Sequence, residues 1–264
     1  MEFFEEKVIW ITGASSGIGA ELARQLAPLK TRLILTARNE KALQKIAETC
    51  DNLGADCQLL LADLSKPETI ETLCQKAIQA FGQIDILINN AGVTQRALTH
   101  ETSIEIGRQI MELDYFAPIA LTKYLLPHFK KNGGGQLVAI SSMTGLMGFP
   151  QRSAYAAAKH AMKGFFETLQ TERSIPNLST TIAYPGRIHT PISYSAITKD
   201  GSAFGNMDEG QLYGIPVVDC AAKIIKGIQK KKPRIIIARA ERILWWIWFY
   251  WLSLYLNIAH RKGS

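Results

Sequence analysis

The chain has 264 residues, of which 47% are hydrophobic and 20% are charged, and its formal net charge is +7. It contains no low-complexity run, linker or internal repeat, which excludes a disordered or repeat-built protein and favours one large α/β domain. The four cysteines lack CxxC spacing, and no secretory signal peptide precedes the first apolar run. We therefore expect no metal site, no disulfide framework and a reducing, cytoplasmic compartment.

Apolar runs of strand length alternate with helical patterns over the first 240 residues. Strands are predicted at residues 8–12, 32–36, 58–62, 84–88, 136–140, 179–183 and 234–238. Helices are predicted at residues 17–27, 40–52, 67–81, 104–130, 152–173 and 216–230. Because the strands are continuously apolar, helices should cover both faces of an open parallel sheet. Ligands bind such sheets beyond the carboxyl ends of the strands, so the residues after each strand are the candidate site.

The first predicted strand is followed by a glycine-rich loop, TGASSGIG, at residues 12–19. Gly13 permits a tight turn, Gly17 brings the backbone close to a diphosphate, and Gly19 lets the next helix pack near the strand. The N-terminus of that helix offers free N–H groups and a partial positive charge to phosphates. An ordinary turn is the alternative. The candidate cofactor-binding residues of this loop are Thr12, Gly13, Ser15, Ser16, Gly17, Ile18 and Gly19.

Three further motifs follow later predicted elements: NNAG at 89–92, Tyr-x-x-x-Lys at 155–159 and YPG at 184–186. Together with the GxxxGxG spacing of the first loop, they resemble the short-chain dehydrogenase/reductase family over roughly residues 6–240. The resemblance implies a Rossmann-type doubly wound parallel sheet of about seven strands, in an oxidoreductase domain over residues 1–242. It also implies nicotinamide cofactor contacts from Asn90, Ala91, Gly92, Tyr155, Lys159, Pro185, Gly186, Ile188 and Thr190.

The second strand bears on the choice of nicotinamide cofactor. Ala37 stands where NAD-using relatives commonly carry an acid that binds the ribose, and Arg38 follows it. A guanidinium can bind a 2′-phosphate through charge-assisted hydrogen bonds, so NADP(H) is predicted and NAD(H) remains possible. The alternative for Arg38 is a solvated loop cation. Asp63 and Leu64, after the third strand, match the family's adenine contacts, although Asp63 could equally serve as an N-cap or turn residue.

The pair Tyr155 and Lys159 is the candidate for proton transfer. Residues four apart on a helix share a face, so both side chains can point into one cleft. A nearby cation stabilises a phenolate and makes a phenol a better proton donor at neutral pH. A chance pair on the surface is the alternative. The resemblance implies that Tyr155 is the general acid and that Lys159 also binds the nicotinamide ribose.

Two further residues complete the candidate catalytic set. The family's serine lies 13 residues before the tyrosine, which falls on Ser142, with Ser141 as the neighbouring alternative. A hydroxyl there would stabilise charge on the substrate oxygen. Asp114 stands where the family usually has an asparagine that holds a water next to the lysine. Because a carboxylate cannot donate as an amide does and would attract Lys159, we expect a lower activity or a shifted pH profile.

Residues 243–259 form an uncharged segment with four tryptophans. As a helix, the segment spans about 25 Å, which is short for a bilayer crossing. We expect one helix over 243–264 that lies in the membrane surface; a dimer interface, a contact with the substrate loop and a true span are the alternatives. The polar stripe of this helix would contain Trp246, Tyr250, Ser253 and Asn257. The flanking cations are Arg239, Arg242, Arg261 and Lys262, a pattern that does not favour nucleic-acid binding.

The resemblance is to the membrane-associated branch of the family, whose members reduce steroid, retinoid or lipid ketones. It implies NADPH-dependent reduction of a hydrophobic carbonyl to a secondary alcohol, with residues 191–213 as the variable substrate loop. The alternatives are NAD(P)⁺-dependent oxidation of an alcohol and a non-catalytic, NADP(H)-binding regulator docked on a membrane. Family members often pair through the two long helices around the fifth strand, which implies a homodimer or homotetramer.

Overall fold

The computed structural model describes residues 2–263, with only the backbone described for Lys262 and Gly263. Met1, the first residue of the predicted domain over 1–242, and Ser264, the last residue of the predicted helix over 243–264, lie outside the described residues. The side chain of Lys262, a predicted flanking cation, lies outside them too. The predicted boundary at residue 242 stays a prediction.

Strands and helices alternate through most of the described chain. The strands are β1 (Val8–Thr12), β2 (Arg32–Ala37), β3 (Asp56–Leu61), β4 (Ile86–Asn89), β5 (Gln95–Arg96), β6 (Gly135–Ile140), β7 (Leu178–Pro185), β8 (Ile188–His189), β9 (Ile197–Thr198), β10 (Ile215–Pro216) and β11 (Arg234–Ile237). The helices are α1 (Gly17–Leu26), α2 (Glu40–Asn52), α3 (Ile70–Phe81), α4 (Ile104–Met111), α5 (Ala117–Lys131), α6 (Ser153–Glu172), α7 (Glu209–Leu212), α8 (Val217–Gln229), α9 (Ala240–Tyr250) and α10 (Leu252–Gly263).

Seven of these strands form one sheet in the order β11-β7-β6-β4-β1-β2-β3. Neighbouring strands pair in parallel throughout. The chain runs outward from β1 in one direction through β2 and β3, and in the other through β4, β6, β7 and β11. Ligands bind doubly wound sheets at such a switch point, beyond the carboxyl ends of the strands. The predicted doubly wound parallel sheet is confirmed.

Apolar layers cover both faces of the sheet. On one face, α1 and α8 contribute the fully buried Leu22 and Ile224. On the other face, Trp10 of β1 packs in the same cluster as Phe166 of α6. β3 departs from the expected burial, since Leu61 is 49% exposed. As the last strand of the sheet it has a neighbour on one side only.

The long helix predicted at 104–130 is interrupted. A π-turn at Glu112–Phe116 separates α4 from α5. Such turns inside helices frequently occur at functional sites. This one carries Asp114, which is fully buried.

The predicted C-terminal aromatic helix is present, but it is divided at Trp251 into two helices, α9 and α10. The chain bends at Trp251, whose φ is −138° and ψ is 65°. Leu244 of α9 and, after the bend, Tyr255 and Ala259 of α10 are buried in the same apolar cluster as Met143.

This break divides the predicted polar stripe. Trp246 and Tyr250 lie on α9, where their rings stack at 5.7 Å, whereas Ser253 and Asn257 lie on α10. Of the helices in the described chain, none combines the length and the apolar character that crossing a bilayer requires.

Candidate active site

The carboxyl ends of the central strands open onto a cavity of about 610 Å³. We call one part the cofactor end; its lining falls within residues 13–18, 36–39, 62–64 and 90–92. We call the other part the substrate end; its lining falls within residues 94–96, 142–152, 187–195 and 208–211. Tyr155 and Lys159 line the cavity too.

In the loop after β1, glycine is required by close contacts. Gly13 has a φ of +65°, and a Cβ on it would lie 2.8 Å from the Ala91 Cα. A Cβ on Gly19 would lie 2.4 Å from the Gly13 carbonyl oxygen. No real Cβ makes such contacts, so the backbones of this loop, of α1 and of the loop after β4 lie directly against one another.

This loop fits a diphosphate. α1 begins at Gly17, and in the described chain the side chain of its N-cap residue, Ser16, makes no capping hydrogen bond. The first N–H groups of α1 therefore remain for an anion. Ser15, Ser16, Gly17 and Ile18 all line the cavity.

Thr12 and Asn90 join the loops after β1 and β4. Thr12 Oγ1 accepts from the N–H groups of Asn90 at 3.0 Å and of Ala91 at 3.1 Å. The Asn90 amide donates to the carbonyl oxygens of Thr12 at 2.9 Å and Gly13 at 3.2 Å. Asn90, Ala91 and Gly13 line the cavity, whereas Thr12 and Gly19 lie outside its lining. These last two residues support the loop from behind.

Arg38 and Asp63 lie together at the far side of the cofactor end. The Arg38 side chain is 64% exposed, and its Nη1 is 4.0 Å from Asp63 Oδ1. Asp63 Oδ1 also accepts from the N–H and the hydroxyl of Ser65 at 3.1 and 2.8 Å. Burial acts to raise the pKa of Asp63, but these hydrogen bonds and Arg38 lower it. Asp63 thus has its turn role and, like Leu64, faces the cavity.

Tyr155, Lys159 and Ser142 all line this cavity. Lys159 Nζ lies 5.6 Å from the Tyr155 ring centroid and donates to the Ile140 carbonyl oxygen at 3.4 Å. Ser142 follows β6, and its Oγ accepts from the Thr144 N–H at 3.2 Å. The hydroxyl proton of Ser142 can therefore be donated to a ligand in the cavity.

The neighbouring Ser141 has a different environment. It is 4% exposed, and its hydroxyl donates to the Lys159 carbonyl oxygen at 3.3 Å. Because that hydroxyl is engaged with the backbone of α6, the geometry favours Ser142 over Ser141 as the residue that faces a substrate.

Asp114 forms a buried ion pair with Lys159. Its Oδ2 lies 3.0 Å from Lys159 Nζ, and the two side chains are 0% and 4% exposed. Its Oδ1 accepts from the Val93 N–H at 2.8 Å. Burial raises the pKa of Asp114, against the effects of Lys159 and Val93. Burial acts to lower the pKa of Lys159, but Asp114 and then Tyr155 outweigh it and raise that pKa.

The last residue of the NNAG motif gives Asp114 its space. A Cβ on Gly92 would lie 3.0 Å from Asp114 Oδ2. The carboxylate thus touches the lysine directly, without the intervening water that an asparagine is expected to hold at this position.

The residues after β7 form another wall. The Gly186 N–H donates to the Ile237 carbonyl oxygen at 2.8 Å. Thr190 is 7% exposed, and its hydroxyl donates to the Ile188 carbonyl oxygen at 3.4 Å. Pro185, Gly186, Ile188 and Thr190 all line the cavity.

Sequence reasoning missed Gln95, which positions the start of α6. This side chain is fully buried, and its Oε1 accepts from the N–H groups of Ala154 at 2.8 Å and Tyr155 at 3.3 Å. A buried glutamine 59 residues before its partner carries no local signal. Sequence reasoning also missed three charged side chains of the substrate end, Arg96, Arg152 and Asp208.

Comparison with known proteins agrees with this architecture. The family model of the short chain dehydrogenases matches residues 7–200. The chain belongs to the short-chain dehydrogenase family. This short-chain dehydrogenase is 38% identical over 241 residues to Dehydrogenase/reductase SDR family member 7B of Rattus norvegicus, with coverage of 89% of this chain and 74% of the relative. It is therefore an oxidoreductase.

Solved structures have the same fold. One is a short chain dehydrogenase/reductase from Burkholderia phymatum in complex with NAD, with a TM-score of 0.84, 23% identity and 96% of each chain covered. Another is an alcohol dehydrogenase from the archaeon Thermococcus sibiricus complexed with 5-hydroxy-NADP, with a TM-score of 0.74, 26% identity and 89% and 95% of the chains covered. The fold of this short-chain dehydrogenase is thus one that binds a nicotinamide cofactor.

Proposed function

We propose that this short-chain dehydrogenase reduces a hydrophobic carbonyl compound to a secondary alcohol with NADPH. One observation carries the proposal: Tyr155, Lys159 and Ser142 line a single cavity that continues to the glycine-rich loop. A proton donor, a cation that stabilises its conjugate base and a hydrogen-bond donor for the substrate oxygen are the groups that carbonyl reduction needs from the protein.

When bound, NADPH supplies the hydride that reduces the carbonyl carbon. The Tyr155 hydroxyl donates its proton to the carbonyl oxygen, while the Ser142 hydroxyl donates a hydrogen bond to the same oxygen. The Lys159 ammonium stabilises the phenolate that remains on Tyr155. Asp114 holds that ammonium at 3.0 Å and keeps it protonated.

The experiment that tests this function compares the purified protein with Tyr155→Phe. Both are incubated with NADPH and a panel of lipid, steroid and aromatic ketones, and the loss of NADPH absorbance is followed. We expect the variant to lose at least about 10²-fold in rate, the usual contribution of a positioned proton donor. Equal turnover by the two proteins would refute the role of Tyr155.

We propose NADP(H) as the preferred cofactor and NAD(H) as a weaker one. Arg38 is exposed at the cofactor end, beside the small Ala37, and a guanidinium there can bind a 2′-phosphate. Arg38→Gln should raise the KM for NADPH by about tenfold, the effect of losing a charge-assisted hydrogen bond. The KM for NADH should change much less. A variant that loses NADPH and NADH affinity equally would argue against a 2′-phosphate contact.

We propose that α9 and α10 contact a membrane surface. Large apolar side chains are exposed there, with Ile243 at 64%, Phe249 at 63%, Trp251 at 62% and Leu256 at 57%. Aromatic side chains beside cations are typical of helices that lie in the interface of a bilayer. This placement makes the enzyme a peripheral protein on the cytoplasmic face of a membrane.

The test is flotation with phosphatidylcholine vesicles that contain phosphatidylserine. The wild type and a Val218→Glu control, changed at an exposed residue of α8, should float, whereas Phe249→Glu/Trp251→Glu should not.

Light scattering on the same samples tests the proposed homodimer or homotetramer. If the double variant floats normally but dissociates to monomers, the segment is an interface between subunits.

A further inference from the structure

Two arginine side chains share one carboxylate at the substrate end. Arg96 of β5 and Arg152, directly before α6, both form ion pairs with Asp208 Oδ2, and the distance from Arg152 Nη2 is 3.2 Å. Their side chains are only 16% and 14% exposed. Arg152 also donates to the Thr94 hydroxyl and to the Gln95 carbonyl oxygen. The two guanidinium groups are therefore held in fixed positions at the cavity wall.

The charges around the cavity do not balance at this wall. The other charged residues of the lining form pairs: Lys159 with Asp114, Arg187 with Glu241, and Arg38 with Asp63. Asp208 neutralises only one of its two partners, so the cluster of Arg96, Arg152 and Asp208 retains one positive charge. Burial, followed by Arg152 and Arg187, lowers the pKa of Arg96 to about 10. Arg96 is thus still cationic at neutral pH, and an additional anion would stabilise it.

The cluster lies beside the proposed proton donor. Arg152 precedes Tyr155 by three residues, and both line the same cavity. Met143, Met147 and Phe149 provide an apolar wall in that cavity. A cationic wall and an apolar wall next to one proton donor suit a substrate that is amphipathic.

We propose that Arg96 and Arg152 bind an anionic oxygen group of the substrate, a carboxylate or a phosphate, joined by a short chain to the carbonyl that is reduced. This inference rests on the function proposed above for the same cavity. Guanidinium groups bind carboxylates and phosphates through two parallel N–H donors. The carboxylate of Asp208, which directly precedes α7 in the lining of the cavity, already shows how an anion is held by both groups. The apolar remainder of the substrate lies against Met147 and Phe149.

The kinetic test uses matched substrates at saturating NADPH. One pair is a ten-carbon keto acid and its methyl ester; the other is a ten-carbon keto alcohol and its phosphate monoester. The wild type should prefer the anionic member of at least one pair by about tenfold or more in kcat/KM. Arg96→Gln and Arg152→Gln should each reduce this ratio by about 10- to 100-fold, the effect of a lost charge-assisted hydrogen bond. The pair that responds distinguishes carboxylate from phosphate.

The matched control is Arg108→Gln. Arg108 lies on α4, its side chain is 77% exposed, and it pairs with Glu105 instead of lining the cavity. This variant removes the same charge and should keep the wild-type ratio. Arg96→Lys should recover part of the preference, because it restores the charge without the planar pair of donors. Thermal unfolding of each variant shows whether it is folded.

A binding measurement separates this inference from the proposed function. Calorimetric titration of the NADP⁺-saturated protein with decanoate, decyl phosphate and decanol does not depend on turnover. If an anion binds more tightly than decanol and this preference is lost in Arg96→Gln, the inference is supported even when no ketone is reduced. Absence of ketone reduction would refute the proposed function alone. Reduction of neutral and anionic ketones with equal efficiency, together with equal binding of the three ligands, would refute the inference and leave the proposed function standing. The ion pairs of Arg96 and Arg152 with Asp208 would then serve only to attach the segment before α7 to the domain.

Discussion

The two ends of the cavity are built by different kinds of contact. At the cofactor end, backbone meets backbone, and missing side chains make this possible: Cβ atoms on Gly13 and Gly19 would lie 2.8 and 2.4 Å from their neighbours. At the substrate end, long side chains from distant parts of the chain meet in ion pairs, such as that between Arg152 and Asp208. Substitutions that add atoms to the glycines of the cofactor end should therefore disrupt cofactor binding. Substitutions of side chains at the substrate end should instead change substrate selectivity gradually.

The strongest test of this difference is one methyl group at the cofactor end. Gly19→Ala places a Cβ 2.4 Å from the Gly13 carbonyl oxygen, and such overpacking typically costs about 1–3 kcal/mol. We expect NADPH binding, measured by fluorescence titration, to weaken by about 10- to 100-fold.

The control for this substitution is another helical glycine. A Cβ on Gly164 of α6 meets no atom within 4 Å among the described residues. Gly164→Ala should leave NADPH binding unchanged and stabilise the fold by up to about 1 kcal/mol, because alanine favours the helix. If Gly19→Ala binds NADPH as the wild type does, the close packing of this loop is not what holds the cofactor.

A second prediction concerns the buried pair between the two ends. Asp114 raises the pKa of Lys159 against the effect of burial, so a neutral residue at 114 should lower that pKa. As long as Lys159 stays protonated in the Asp114→Asn variant, its charge is no longer offset by a carboxylate. It therefore stabilises the Tyr155 phenolate more strongly than in the wild type. In Asp114→Asn, the pH profile of kcat/KM for alcohol oxidation should therefore shift to lower pH by about one unit. An unchanged profile would show that the carboxylate does not influence proton transfer.

The same pair predicts how stability depends on pH. Because the pKa of Lys159 in the folded protein is raised above 10.5 by Asp114, the protonated Lys159 contributes stability that is fully present below pH 10.5. In the window above 10.5 the unfolded chain loses its proton first, so this stabilisation declines as the pH rises through the folded pKa. Urea unfolding at alkaline pH should show a steeper loss for the wild type than for Asp114→Asn.

The sequence predicts the cofactor end better than the substrate end for a physical reason. The glycine-rich loop and Tyr155 with Lys159 are local patterns, and each reflects one turn or one helix face. The continuous apolar strands likewise predicted the parallel sheet.

The missed features depend on tertiary contacts. Gln95 and Arg96 meet Arg152 and Asp208 only because the chain folds back across the cavity, and no spacing along the sequence encodes that contact. The sequence predicted the C-terminal aromatic helix but not its break at Trp251. A continuous apolar run is compatible with one unbroken helix. The bend at Trp251 instead accompanies a tertiary contact, the burial of Tyr255 and Ala259 in the domain.

The smallest predicted effect concerns that C-terminal contact with the substrate end. Tyr255 is 3% exposed, and its hydroxyl donates to the carbonyl oxygen of Gly148, near the apolar wall. Burial raises the pKa of Tyr255 to about 12, so it remains a donor at neutral pH. Tyr255→Phe leaves the carbonyl without this partner and should cost about 1 kcal/mol of unfolding free energy in urea.

A matched control separates this hydrogen bond from a general effect of the aromatic segment. Tyr250→Phe removes a hydroxyl from a residue that is 60% exposed, and it should change the unfolding free energy by less than about 0.5 kcal/mol. Because Gly148 belongs to the loop that carries the apolar wall, Tyr255→Phe should also raise KM more than it lowers kcat. Equal effects of the two variants on stability and on KM would mean that α10 packs on the domain without positioning the substrate end.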